Sequence, residues 1–246
     1  MSGSSTPFQT EVESTCAAIL SASTEPKAHR LNALAFLVQQ IGSERFCAFE
    51  ALLCDILNNH AEDAELRSAT ALALGQFGSA DVLNPLLKAT SDSDRQVRQY
   101  AAEALGRMGN EAAIPTLLER LTDTDNDVFL MAANALGQMG TAAVSPLSQL
   151  LSQPQTRHDV RCAAAWQLGQ IQESSAVEPL MNVVETELAS EATNEELTAL
   201  CVWALGEIGC ELNGVRQILL RASQHPQPSI ADRAKLASKK IARHIN

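Results

Sequence analysis

The chain has 246 residues, 46% hydrophobic and only 4% aromatic, a composition rich in Ala and Leu that fits a globular protein and excludes intrinsic disorder and collagen. Its 18 Lys plus Arg against 29 Asp plus Glu give a formal net charge of -11. Averaged over the molecule, that charge repels nucleic acid and anionic membrane surfaces.

Residues 1–7 read as a flexible N-terminus. Met1 to Thr6 (MSGSST) lacks a basic stretch leading into an apolar run, and nowhere do about 18 apolar residues follow one another without a charge or a break. The expectation is a cytoplasmic protein without a membrane span. A first helix is expected near Phe8 to Ser21, followed by a weakly apolar face at Arg30, Ala33, Leu34, Leu37, Val38 and Ile41. Cys47 and Cys54, seven apart on one helical face, could offer thiols to a metal or cluster, but cysteine is more often a small buried hydrophobe, and that reading is adopted. All six cysteines are scattered without a C-x-x-C pair, as expected of reduced thiols rather than a disulfide framework.

From Thr70 onward the chain repeats itself. Thr70–Gly78 (TALALGQFG), Ala101–Gly109 (AAEALGRMG), Ala132–Gly140 (AANALGQMG), Ala164–Gln172 (AAWQLGQIQ) and Cys201–Gly209 (CVWALGEIG) align without gaps. Their central glycines Gly75, Gly106, Gly137, Gly169 and Gly206 are 31, 31, 32 and 37 residues apart, a period suited to two short helices and two turns. Apolar residues such as Val97, Tyr100, Ala101, Ala104, Leu105 and Met108 keep the spacing of one helical face. Gly42, Gly78, Gly109, Gly140 and Gly209 follow as left-handed helix ends, a rule that Gln172 breaks. Proline-marked second helices follow at Pro85, Pro115, Pro146 and Pro179. Between repeats, Ser91–Asp94 and Thr122–Asp127 supply capping oxygens. The segment 185–196, with five glutamates, reads as an acidic inter-repeat connection that stretches the last spacing to 37. Residues 227–246 read as a basic C-terminal capping helix, centred on Ile230 to Ile241. After position 211 seven basic residues face only Asp232, so this end carries +6 and the rest of the chain -17.

Two amphipathic helices cannot bury their apolar faces alone, so such units must stack. The expected fold is all-α: one α-solenoid of about six helical pairs over 1–246, with terminal capping helices. The order of a turn Asp, Val-Arg (Val97-Arg98, Val160-Arg161), AA-x-ALG-x-[MI]-G and an A-[VI]-x-P-L helix resembles the HEAT-like repeats of the phycobilisome-lyase type, from about Arg30 to Arg221. This resemblance implies the HEAT fold and a group that spans phycobilin lyase E/F subunits, phycobilisome-degradation factors and interaction scaffolds. Phe129, where such repeats favour Arg, and Gln167, at a small apolar position, depart from the pattern.

Enzymatic relatives of these repeats offer tests. The deoxyhypusine hydroxylases carry His-Glu pairs for a di-iron site, whereas none of His29, His60, His158, His225 and His244 precedes a Glu. The HEAT-like alkylpurine glycosylases hold DNA on a basic, aromatic-lined face that this acidic chain lacks. No phosphate loop, G-x-S-x-G or G-x-G-x-x-G occurs. The sequence therefore assigns no catalytic residue, cofactor or metal.

Trp166 and Trp203 share one slot, three residues before the central glycine, where other copies have Leu72, Glu103 and Asn134. A slot tolerating Glu and Asn is at least partly exposed, and tryptophan is favoured at binding hot spots, so the pair is a candidate partner-binding ledge. Burial beneath the connection 185–196 is the opposing reading. Arg67, Arg98 and Arg161 recur eight before the glycine and read as a structural ladder with the turn aspartates. Phe129 interrupts that ladder and is a candidate extension of the apolar surface, beside Leu130.

The function expected is a non-catalytic scaffold or adaptor binding a protein, alone or in a hetero- or homodimer, with neither nucleic acid nor membrane as partner. One alternative, implied by the resemblance, is a phycobilin lyase E/F-like subunit or related chromophore-handling factor acting on a phycobiliprotein. If the chain is an enzyme, it is then a lyase of the phycobilin-attachment type. A second alternative is an assembly factor for a metal or Fe–S protein.

Overall fold

The computed structural model describes residues 7–40, 46–77, 79–190, 193–210 and 213–243, and its described segments contain fourteen α-helices and no strand. They gather into two compact units, residues 1–135 and 136–246. The first contains α1 (Pro7–Ser21), α2 (Lys27–Gln40), α3 (Glu50–Asn58), α4 (Ala64–Phe77), α5 (Leu83–Ala89), α6 (Arg95–Met108) and α7 (Ile114–Arg120). The boundary falls within α8 (Asn126–Gln138). The second continues with α9 (Val144–Ser152), α10 (His158–Ile171), α11 (Val177–Leu188), α12 (Glu195–Ile208), α13 (Asn213–Ser223) and α14 (Pro228–Arg243). Six helical pairs, α2/α3 to α12/α13, thus stand between the solitary α1 and α14, an α-solenoid arrangement. Except for Pro7, which begins α1, the N-terminal segment 1–7 lies outside the described residues. No helix among the described residues is long and apolar enough to cross a membrane.

First helices pack on first helices: α4 on α6 in one unit, α10 on α12 and α12 on α14 in the other. Second helices do the same, α3 with α5 and α11 with α13. The leucines that recur with the helical period fill the layer between, with Leu53, Leu74 and Leu105 in one unit and Leu151, Leu168 and Leu180 in the other fully removed from solvent. The central glycines permit close approach between first helices. A Cβ on Gly75 would stand 2.4 Å from Ala104 Cα, and one on Gly206 2.6 Å from Ala237 Cβ. Gln167 occupies the slot held elsewhere by Ala104 and Ala204, and its Oε1 fills the space that a Cβ on Gly137 would need, 2.1 Å away. The larger side chain is thus housed by the glycine opposite.

Helix ends follow the sequence pattern. Asp94 accepts from the Gln96 and Val97 amides at the start of α6, and Asp125 from those of Asp127 and Val128 at the start of α8. Gly109, Gly140 and Gly209 have φ of 63°, 60° and 69°. Gln172 adopts the same left-handed conformation, φ 59°, despite its side chain. Its amide still bonds Leu168 O at the end of α10, so the chain reversal is imposed by the repeat and not by glycine alone. Gly42 and Gly78 lie outside the described residues.

The arginine slot forms a ladder in the first unit. Arg67 holds Asp92 through Nε (3.2 Å) and Nη2 (2.9 Å), and Arg98 holds Asp123 the same way, both at 2.9 Å. Arg98 Nη1 also donates to the Asp92 carbonyl (3.0 Å), so the Asp92 turn is tied to the arginine before it and the one after it, whereas the Asp123 turn, followed by Phe129, is held by Arg98 alone of the ladder. Each carboxylate additionally accepts an amide of its own turn, Asp94 N on Asp92 and Asp125 N on Asp123. Burial opposes ionisation of both aspartates, but the guanidinium and amide donors outweigh it, and both pKa values lie below the ordinary one. Arg161 departs from the expected turn-aspartate pairing: its Nε donates to Leu151 O (2.9 Å) and its carboxylate neighbour is Glu187 at 4.0 Å. Arg30, which the pattern did not single out as a rung, bonds Leu20 O and Glu62.

Two expectations need correction. Phe129 is only 8% exposed and offers no open patch; the exposed side chain is its neighbour Leu130. The reason is the slot itself, which is buried for Arg67 as well, so an apolar replacement goes inward. The acidic segment 185–196 is only half connection. Its residues 185–188 extend α11 and 195–196 begin α12, so much of the extra length is helix.

Candidate functional site

The second unit carries an exposed tryptophan pair; the first has a single exposed aromatic ring among its described residues, Phe36 on α2. Trp166 on α10 and Trp203 on α12 stack with ring centroids 4.4 Å apart and planes 14° from parallel. Trp166 is 43% exposed and Trp203 half-buried, so the acidic segment 185–196 does not cover the pair. Gly169, one turn beyond Trp166, makes the stack possible. A Cβ there would meet Trp203 Cζ3 at 2.6 Å, so the indole lies across α10 where only hydrogen stands. Offset aromatic pairs contribute about 0.5–1.5 kcal/mol beyond burial. The stack orders the two rings against each other while leaving Trp166 open to solvent.

Beyond Trp203 the surface continues onto α14. A cleft of about 260 Å³ is lined by Trp203, Gly206, Glu207, Arg233, Leu236, Ala237 and Lys240. Leu236 is largely exposed, Lys240 pairs with Glu207, and Arg233 Nη1 reaches Ala199 O at 3.5 Å. The result is a mainly apolar cleft edged by Arg233 and the Lys240–Glu207 pair and sharing Trp203 with the tryptophan stack.

On α10, His158, Cys162 and Trp166 are spaced i, i+4, i+8 and share one face. His158 Nε2 stands 3.1 Å from Glu196 Oε2 and 3.5 Å from Cys162 Sγ. Asn194, the N-cap of α12, accepts from Leu197 N (3.2 Å) and turns its Nδ2 to His158 Nδ1 (3.0 Å). One imidazole, one thiol and one carboxylate thus come within 4.8 Å of one another. Burial, with the charges of Glu196 and Asp159 adding and Arg161 opposing, pushes the Cys162 thiol up to about 12. Burial likewise raises Cys201, which has no exposed surface. The sequence analysis assigned no metal ligand and missed this group. Its local signal is the His158-x-x-x-Cys162 spacing, and Glu196 arrives only by packing. Cys54 is half-buried on α3, and the side chain of Cys47 lies outside the described residues.

The family model for HEAT repeats matches residues 50–133 and 123–192. Among solved structures, one described as importin beta in an ammonium sulfate condition superposes with a TM-score of 0.70 at 16% identity, over 95% of this chain and 36% of that one. An archaeal HEAT-like repeats protein from Thermococcus onnurineus NA1 gives 0.59 at 17%, over 95% and 98% of the two chains. The complex of CpcE and CpcF of phycocyanin lyase from Nostoc sp. PCC7120 gives 0.51 at 23%, over 99% and 96%. These likenesses concern the fold. No curated protein matches the sequence significantly.

Proposed function

The chain belongs to the family of HEAT repeats, and from that premise we propose that it is a non-catalytic scaffold that holds a protein partner on the surface running from α10 across α12 to α14. The observation that carries this reading is the half-exposed Trp166–Trp203 stack. Tryptophan that remains open to water although its neighbour is ordered against it exposes apolar surface at a cost to solubility, and such residues anchor interfaces. The adjoining cleft, apolar at Leu236 and Ala237 and basic at Arg233, with Lys240 paired to Glu207, suits a partner that presents an apolar side chain beside a carboxylate. The positive charge of the C-terminal end favours the same approach.

Affinity capture from native lysate, read by mass spectrometry, tests the reading with wild type against the Trp166→Ala/Trp203→Ala double variant at matched helicity. A stoichiometric protein held by the wild type and lost by the variant supports it. A partner held equally by both, or none, overturns the ledge as the binding surface. Capture of a phycobiliprotein would favour the chromophore-handling alternative, which a bilin-transfer assay would then decide.

A further inference from the structure

We propose that His158, Cys162 and Glu196 form a binding site for a single divalent transition metal ion of the zinc class, with a fourth position open to water or an incoming ligand. The donor set comes first. Imidazole nitrogen, thiolate sulfur and carboxylate oxygen are the three protein donor types that zinc takes, and three protein donors plus an open position is the arrangement of its reactive sites. The spacing comes next. Zn–N of about 2.0–2.1 Å and Zn–S of about 2.3 Å at tetrahedral angles place N and S roughly 3.5 Å apart and N and O roughly 3.4 Å apart. His158 Nε2 stands 3.5 Å from Cys162 Sγ and 3.1 Å from Glu196 Oε2, and all three donors lie within 4.8 Å of one another, so one ion fits among them once the exposed Glu196 side chain swings in toward the sulfur.

Charge supports a dication. With Cys162 as thiolate and Glu196 as carboxylate, the two negative charges neutralise the ion, and the imidazole adds none. Binding sends the Cys162 thiol proton to solvent. The imidazole keeps one proton, which sits on Nδ1 once Nε2 takes the metal, and Asn194 accepts it only by turning its oxygen away from the Leu197 amide, at the expense of the cap of α12. Asn194 is therefore a positioning residue: it contacts His158 Nδ1 and leaves Nε2 facing the other two donors. Both supporting elements are helical and packed on each other, His158 and Cys162 on one helix and Glu196 in the first turn of the other. The proposal is independent of the protein-binding reading.

The test is anaerobic titration of the full reduced chain with Co(II), followed by displacement with Zn(II). Wild type is expected to bind one equivalent, with a thiolate-to-cobalt charge-transfer band and the intense visible bands of tetrahedral Co(II), both removed by stoichiometric Zn(II). Cys162→Ser should abolish the charge-transfer band. His158→Ala and Glu196→Gln alter exposed side chains, so the fold is retained, and each should weaken binding by more than the roughly 10- to 100-fold that outer-sphere changes cost. Cys54→Ser and Cys210→Ser should leave the titration unchanged. No saturable binding by wild type, a charge-transfer band surviving in Cys162→Ser, or affinity unaffected by His158→Ala would overturn the proposal.

Discussion

Helices α6 and α10 are copies of one repeat element and differ in what they do with the same slots. On α6, Arg95 pairs with Asp125, Arg98 clamps Asp123 and Glu103 pairs with Arg107, so each of these charges finds its counterpart within the first unit. On α10 the corresponding residues are His158, Arg161 and Trp166, and Cys162 replaces Gln99. The N-cap Asp94 becomes Arg157, whose side chain makes no cap, and the closing Gly109 becomes Gln172. Local stabilisers have been exchanged for groups with chemistry or exposed area. The lesson is that a repeat tolerates such exchange as long as the apolar face and the central glycine stay in place.

The comparison can be broken most severely at the ladder. Arg67→Ala leaves the Asp92 carboxylate, whose side chain is 1% exposed, to His60 at 3.4 Å and the Asp94 amide, and should lower stability by about 3 kcal/mol. Arg161→Ala, whose carboxylate neighbour stands 4.0 Å away, should cost much less. Urea unfolding of both variants checks the difference, and equal losses would erase the distinction between the two units. Gly75→Ala should follow at about 1–3 kcal/mol, because its Cβ would meet backbone rather than a movable side chain.

Acid should act most on the first unit, because the depressed carboxylate of the second, Asp159 beside Arg157, is half-exposed whereas Asp92 and Asp123 are buried. The folded pKa values of Asp92 and Asp123 are depressed, so their contribution is complete above the ordinary carboxylate range, about 4, and is lost as the pH falls through the lower folded values. Amide exchange followed from pH 6 downward should show protection around α4 and α6 declining in that window. In Asp92→Asn/Asp123→Asn, part of that decline should vanish.

Smaller effects sharpen the contrast on α10. Trp166→Ala should change stability by less than about 1.5 kcal/mol, the order of the aromatic pairing lost at a half-exposed site, while costing about 2 kcal/mol or more in partner binding, read by calorimetry. Gln172→Gly should raise stability by about 1 kcal/mol by relieving a left-handed non-glycine residue. Gly109→Gln should lose a similar amount, measured by the same denaturation.

The pattern of Val97 to Met108, repeated at Val128 to Met139, made the pairs and their order legible, as did the turn aspartates and the two terminal helices. These features are local: a helix face, a cap and a left-handed turn are written within a few residues of one another. Phe129 was misjudged for the opposite reason, since its hydrophobicity says nothing about which way its slot faces. Glu196 was invisible as a partner of Cys162 because 34 residues separate them and nothing local links the two.

The sequence by itself determined the helical pairs, their register and the shared slot of Trp166 and Trp203. Only the tertiary structure decided that Gly169 lets the two indoles stack, that Phe129 turns inward and that His158, Cys162 and Glu196 converge. Periodicity fixes the direction in which a side chain leaves its own helix. Whether it ends in water, in a core or against a second functional group depends on the neighbouring helix, and that is set by packing between residues distant in the chain.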